Sequence, residues 1–351
     1  MIFIVLSLII IGIFYTFVLP ILGEAKTIYH TDMVEQSTIL HKHTWLFIFF
    51  IFTPFIVAFV ASCGLFDKEI KQDQHIASFR RQLSRVPDSL HSHKGRVTAY
   101  ESIIEDIDAD GYLITQRKKN NLLIEGNSYL YDEYLKADNY KKAISYSNIM
   151  IGIDSTLAKG YYNRGCVYQL LNDDSLAIRD YGLAIKLNPD YADAYYNRGI
   201  LYEEAEKYDP ALSDYSKAIR LNPPYVGDVY NNRGNVYMVK DVVDKAIDDY
   251  SKAIDIDSLS LKVYCNRAWA YILQNEFDKA LVDCDIVISL DSTNVNAYIK
   301  RALVYEGKEN YSKAIDDYKK ILKLDPYDKL DTHTTARQAI QKLRPLVSRK
   351  H

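Results

Sequence analysis

Hydrophobic and polar positions divide the chain into three stretches of different pattern. Residues 1–22 and 45–66 hold no charged side chain. Each run is long enough to cross a hydrocarbon core of ~30 Å as a helix, so both are predicted as transmembrane helices, joined by the loop 23–44. Residues 67–121 are polar and charged, with scattered apolar positions. Ile76, Phe79, Leu83 and Val86 predict one short amphipathic helix, and Val97, Tyr100, Ile103, Ile104 and Ile107 predict another, in what reads as a helical linker. From 122 to 328 the pattern becomes periodic. An aromatic, a small residue and a tyrosine recur at i, i+4 and i+7, as in Tyr161, Gly165 and Tyr168 or Tyr195, Gly199 and Tyr202. That spacing puts all three on one face of a helix.

A second helix follows in every unit. Its marker is an alanine: Ala143, Ala177, Ala211, Ala246, Ala280 and Ala314, spaced 34, 34, 35, 34 and 34 residues apart. Clusters such as Asn188-Pro189, Asn222-Pro223-Pro224 and Asp325-Pro326 close the units with helix-stop chemistry. A repeat of this length made of two helices predicts a solenoid of helical hairpins. The small residue of the first helix and the alanine of the second mark the closest approach of the two axes. A bulkier side chain there would overpack the contact at a cost of about 1–3 kcal/mol. The tyrosines between hairpins account for most of the 30 in the chain.

These residues resemble the tetratricopeptide-repeat (TPR) signature, an aromatic, a small residue and a tyrosine before an alanine, an aromatic and a proline. The resemblance covers five clear units over 158–328. A degenerate unit over 124–157 has Asn127 and Tyr131 where an aromatic and a small residue belong, and reads as a capping repeat. The unit 261–294 departs from the pattern with Cys284 and Val287, and the extra residue of the 35-residue spacing falls in the Pro223–Asp228 connection. Ala336, Ala339, Ile340 and Leu343 form the apolar stripe of a final capping helix within 329–347, ended by Pro345. The expected architecture is all-α, a TPR array over 122–328 with its cap, behind two membrane segments.

One position departs from the TPR pattern throughout. Where leucine is usual before the small residue, this chain has Arg164, Arg198, Arg233, Arg267 and Arg301. Sixteen residues after each stands an aspartate: Asp180, Asp214, Asp249, Asp283 and Asp317. A half-buried guanidinium needs a carboxylate partner, which predicts an Arg–Asp bridge between the two helices of each unit.

The apolar runs admit two readings. With both spans retained, the loop 23–44 carries only Lys26 and Lys42, whereas Lys68, Lys71, Arg80, Arg81 and Arg85 follow the second run. The positive-inside rule then puts both ends and the array in the cytoplasm. Alternatively, Val60-Ala61-Ser62-Cys63 resembles a bacterial lipobox ending an apolar run, with Met33 as a second start. Cys63 would then be lipidated and the array extracytoplasmic. Cys166, Cys265 and Cys284 are odd in number, lack metal spacing and read as small buried hydrophobes.

Chemistry is sparse. Asp106, Asp108, Asp110 and Gly111 look like the start of a calcium loop, but Arg117 stands where the closing bidentate carboxylate belongs. His41 with His43 and His91 with His93 lack further ligands, so no metal or cofactor is expected. No nucleophile motif or phosphate-binding loop occurs, and no histidine lies between residues 94 and 332. A net charge of −3 without a basic run argues against nucleic acid.

In TPR proteins the partner lies in the concave face of the first helices, at the second, fifth, ninth, twelfth and thirteenth positions of each unit. By that resemblance the groove includes Tyr162, Gln169, Tyr196, Glu203, Asn231, Asn235, Cys265 and Trp269. The lysine that clamps a terminal carboxylate in some members is missing at the fifth position. Such a groove suits an extended peptide or a helix. The expectation is a membrane-tethered, non-catalytic scaffold for a protein partner, with no small-molecule substrate. The alternative is a cell-envelope lipoprotein serving as accessory subunit of a glycan or biosynthetic enzyme complex.

Overall fold

The computed structural model describes residues 70–86, 92–109, 115–324 and 333–349. All regular structure among them is helical. α1 (70–86) and α2 (His93–Ala109) come first. Six hairpins follow: α3 (Gln116–Lys136) with α4 (Tyr140–Ile153), α5 (Ala158–Leu170) with α6 (Asp174–Leu187), α7 (Ala192–Glu204) with α8 (Tyr208–Leu221), α9 (Val226–Val239) with α10 (Val243–Ile256), α11 (Leu261–Leu273) with α12 (Phe277–Leu290), and α13 (Val295–Gly307) with α14 (Tyr311–Leu324). α15 (His333–Arg349) closes the stack. Residues 70–78 belong to a separate unit; from Phe79 onward the described residues form one compact unit.

The expected architecture needs one correction. Among the described residues no helix is long and apolar enough to cross a membrane. Only α3, at 21 residues, has the length, and Arg117, Lys118, Lys119, Glu125, Asp132, Glu133 and Lys136 along it would have to leave water. The architecture is therefore a helical-hairpin solenoid, without membrane segments among the described residues. The runs 1–22 and 45–66, with Cys63, lie outside them.

The turn inside each hairpin is built the same way. The first helix ends on a residue in the left-handed region: Asp138, Asn172, Glu206, Asp241, Asn275 and Glu309, with φ between 54° and 58°. The next N–H then donates back to the carbonyl of the last tyrosine of the motif, as in Asp173 to Tyr168 (2.9 Å) and Glu276 to Tyr271 (2.9 Å). This is a Schellman closure, which satisfies carbonyls the helix leaves orphaned. Between hairpins an Asx turn takes over, with Asn188 Oδ1 accepting from the Asp190 N–H at 3.1 Å. The inserted residue makes α8 end differently, on Asn222 at φ 51°.

Packing inside the hairpins pairs a small residue with a large one. A Cβ added to Gly165, Gly199 or Gly234 would lie 2.9, 2.8 or 2.7 Å from the ring of Tyr181, Tyr215 or Tyr250. All three rings are buried, as are the marker alanines. The degenerate first hairpin exchanges the sizes. Tyr131 holds the small position and Ser147 the tyrosine position, exposed 4 % and 0 %. The Tyr131 hydroxyl reaches into the next hairpin and donates to the Asn163 carbonyl at 3.0 Å. Total volume is kept, which is what a packed core tolerates best.

Both ends are covered by apolar faces. Leu83, Val97, Tyr100 and Ile107 are buried at the front, where Ile104 crowds Gly126 so closely that a Cβ there would meet it at 2.7 Å. The first helix of the first hairpin therefore has its packing partner already within the stretch read as linker. At the rear, Ala336, Ile340 and Leu343 pack against the last hairpin. α15 does not end at Pro345 but runs through it to Arg349. Pro345 is exposed, so its ring and missing N–H fall on the solvent side.

Candidate partner-binding groove

First helices of successive hairpins touch one another, α7 with α9, α9 with α11 and α11 with α13, and no pair of second helices approaches as closely. The array therefore curves with its first helices inward. On each of them the second, fifth, ninth and twelfth residues fall on one face, and these faces line up along the inner side.

A side-chain ladder runs along that side. The Asn197 amide donates to the Tyr162 hydroxyl at 3.2 Å, and Asn232 does the same to Tyr196 at 3.1 Å. One hairpin further, Asn266 reaches Asn231 Oδ1 at 3.0 Å and Asn235 Oδ1 at 3.1 Å. Each rung joins neighbouring hairpins. Side chains at the twelfth or ninth position receive the buried tyrosines of the second helices: Tyr181 donates to Gln169 (2.7 Å), Tyr215 to Glu203 (2.5 Å) and Tyr250 to Asn235 (2.9 Å). The ring of Tyr162 lies 4.8 Å from that of Tyr191, and Tyr196 lies 5.2 Å from Tyr225.

The groove residues read from the sequence thus differ in situation. Tyr162, Gln169, Tyr196, Glu203 and Asn235 are half-buried and hydrogen-bonded. Trp269 is 40 % exposed. Asn231 and Cys265 are buried, at 2 % and 9 %; their short side chains stay between the helices where tyrosine at the same position reaches the surface. Burial raises the Tyr162 and Tyr181 hydroxyls and the Cys166 thiol between them. It also pushes the Cys284 thiol up to about 12. Cys166, Cys265 and Cys284 are all free, and burial keeps all three thiols protonated and poorly reactive. The rungs Asn197, Asn232 and Asn266 were the residues sequence reasoning passed over. Their signal was the asparagine that opens the recurring Asn-Arg triplet.

The opposite side of the first helices carries the arginines. Each grips the aspartate of its own hairpin with two hydrogen bonds, for example Arg233 Nε to Asp249 Oδ2 (2.7 Å) and Nη2 to Oδ1 (2.8 Å). The other four pairs do the same, with Nε–Oδ2 distances from 2.6 to 2.9 Å. The aspartates are buried, between 0 % and 5 % exposed. The guanidiniums also lie over tyrosine rings, Arg198 at 5.8 Å from Tyr195 and 5.7 Å from Tyr202. The remaining nitrogen, Nη1, extends to the second helix of the preceding hairpin. It donates to Asn148 from Arg164 (2.7 Å), Ser216 from Arg233 (2.9 Å), Ser251 from Arg267 (3.0 Å) and Asp285 from Arg301 (2.7 Å). Each of these four arginines therefore ties three helices.

Among the described residues no three His, Cys, Asp or Glu side chains gather as metal ligands. Asp106 and Asp108 lie on α2, and Asp108 pairs with Lys119 at 3.1 Å; Asp110 and Gly111 lie outside the described residues.

The family model described as tetratricopeptide repeat matches residues 192–225 and 295–328, and a second, described as TPR repeat, matches 167–205. No curated protein matches the chain. Among solved structures, YrrB, described as "a TPR protein with an unusual peptide-binding site", is 23% identical with a TM-score of 0.49, over 54% of this chain and 97% of its own. The pilF protein of Pseudomonas aeruginosa is 18% identical with a TM-score of 0.52, over 64% of this chain and 98% of its own. MamA is 24% identical with a TM-score of 0.47, over 50% and 94%. At these identities the likeness is one of fold. The repeat matches and the hairpin architecture together support a TPR protein.

Proposed function

We propose that the chain is a non-catalytic scaffold that holds a peptide or helix of a protein partner along the inner face of its first helices. The observation that carries this reading is the alignment of α5, α7, α9 and α11, which brings the tyrosine and asparagine positions of successive hairpins into one row. Tyrosine rings with partly satisfied hydroxyls supply stacking area and hydrogen bonds at little entropic cost. Trp269, large and 40 % exposed, is the side chain with most to gain from being covered.

Affinity capture with the full-length chain tests the reading. Tyr162 and Tyr196 also hold their ladder asparagines, so the triple change of Tyr162, Tyr196 and Trp269 to alanine is accompanied by Trp269→Ala alone. Loss of captured proteins with an unchanged helical spectrum is expected for both. A partner list identical to that of the unaltered chain would refute the groove.

A further inference from the structure

The inner face changes chemistry along its length. On the third and fourth hairpins three carboxylates stand along a row of tyrosine rings. Tyr225 donates to Asp193, Tyr215 donates to Glu203 at 2.5 Å, and the rings of Tyr196 and Tyr225 stand 5.2 Å apart. Asp228 is exposed, and its charge acts on the Tyr196 hydroxyl, which burial has already raised. None of these carboxylates forms an ion pair with a lysine, arginine or histidine among the described residues, although such pairs are frequent elsewhere in the array, as between Lys240 and Asp209 at 2.5 Å. Burial raises the Glu203 carboxyl as well, and the neighbouring Glu204 adds to this, against the opposing hydrogen bond from Tyr215 and the charge of Lys262.

On the fourth and fifth hairpins the same face turns apolar. Val239 and Leu273, at equivalent places in the last turns of α9 and α11, are 63 % and 49 % exposed, and Trp269 stands on α11 at 40 %. The carboxylates beside aromatic faces are thus followed, toward α11, by uncovered hydrophobic area.

We propose that the groove selects a partner segment of two-part chemistry, with a lysine or arginine seated beside Asp193, Asp228 and Tyr196, and an aliphatic or aromatic residue over Val239, Trp269 and Leu273. This rests on the groove being the binding face. A cation in the first recess gains charge-assisted hydrogen bonds to the half-buried Asp193 and the exposed Asp228, and a contact with ring faces. An acidic segment is repelled there. Packed helices lie about 8–10 Å apart, and the second recess lies about 10–16 Å further along the helices at about 1.5 Å per residue, so the two recesses are about 13–26 Å from each other. An extended chain covers that span in about four to eight residues at about 3.3 Å each.

A random dodecapeptide library displayed on phage, selected on the immobilised full-length chain, tests both parts. Selected peptides are expected to carry Lys or Arg about four to eight residues from a Leu, Ile, Phe or Trp. Their binding, followed by fluorescence anisotropy, is expected to weaken at least tenfold in Asp193→Lys/Asp228→Lys and in Trp269→Ala, with helical content unchanged in both. Asp228 and Trp269 are exposed, so the single changes Asp228→Lys and Trp269→Ala preserve the test if the double variant unfolds. Selected peptides that are acidic or lack a basic residue, yet still lose binding in Trp269→Ala, would overturn the two-part chemistry and leave the groove standing. No selection, or peptides indifferent to every groove variant, would overturn both.

Discussion

Arg198 is the one arginine of the row whose Nη1 faces a glycine. The residue that receives this nitrogen in the other hairpins is Asn148, Ser216, Ser251 or Asp285; the equivalent residue here is Gly182. A Cβ built on Gly182 has Arg198 Nη1 as its single neighbour within 4 Å, at 3.4 Å, so Gly182→Ser adds a hydroxyl where a donor already waits and nothing is overpacked. Two effects then add. In a helix interior serine is better than glycine by about 0.5 kcal/mol. A hydrogen bond to a charged group is worth about 1.5–3 kcal/mol, here reduced to about 1 kcal/mol because the Arg198 side chain is 20 % exposed and already grips Asp214. The total is a gain of about 1.5 kcal/mol. Gly182→Ala provides the control. Alanine exceeds glycine by about 0.8–1.0 kcal/mol through propensity alone, so without the hydrogen bond the serine variant would be the less stable of the two. Urea unfolding of the three full-length chains, followed by circular dichroism, should rank serine above alanine above glycine. Repeat arrays unfold in more than one step when cooperativity fails, so amide exchange in α6 and α7 is followed alongside. Alanine ranking above serine would refute the account of the arginine row.

The same row predicts an asymmetry. Asp249→Asn should cost about 3–5 kcal/mol by leaving Arg233 buried without its counter-charge, whereas Arg233→Leu with Asp249→Leu should be neutral or stabilising, measured by the same unfolding assay. The exchanged pair at the first hairpin predicts that Tyr131→Gly and Ser147→Tyr each destabilise, by about 3–5 and about 1–3 kcal/mol, and that the double variant recovers most of the loss in its thermal midpoint. At Glu133, burial pushes the carboxyl up, but the bonds from Arg96 (2.8 Å) and Lys136 (3.2 Å) outweigh it and hold the group below its usual value. A depressed carboxyl stabilises the fold above the unfolded value of about 4.3 and loses that contribution as pH falls through the lower folded value. Melting of the native chain should therefore drop more steeply than that of Glu133→Gln as pH is lowered from about 6 to about 3; parallel curves would rule the contribution out.

Much of this was legible in the chain because it is local and repeated. The helical face of aromatic, small residue and tyrosine lies within eight residues, and the arginine–aspartate spacing of sixteen is fixed by one turn between two helices. The ladder was not legible, although its asparagines recur. Asn197 and Tyr162 are 35 residues apart and meet only through the rotation between hairpins, which periodicity does not state. The hairpin turns also escaped notice, because the left-handed position is held by Asp, Asn and Glu where glycine would have announced it. Tyr131 and Ser147 looked like losses of pattern one residue at a time; as a pair they conserve volume. Asn231 and Cys265 were placed in the groove by their position in the repeat, but exposure depends on side-chain length, which position does not carry.

The two sides of the first helices have unlike mechanical roles. On the arginine side four of the five residues fasten both their own hairpin and the one before it, so hydrogen bonds to charged groups add to the apolar packing that also joins successive hairpins. An apolar leucine at that place would leave the angle to van der Waals packing, which tolerates sliding. On the ladder side the hairpins are joined by neutral amide–hydroxyl bonds at 3.1–3.2 Å, weaker by about half than charge-assisted ones. A ligand amide or hydroxyl can substitute for a rung there, and the curvature survives because the other side holds it. A groove held open in this way enters binding already ordered, so less of the interaction energy is lost to fixing the array. The partner's contacts then go to recognition, and affinity should respond to the carboxylate recess and to Trp269 more than to changes in array stiffness.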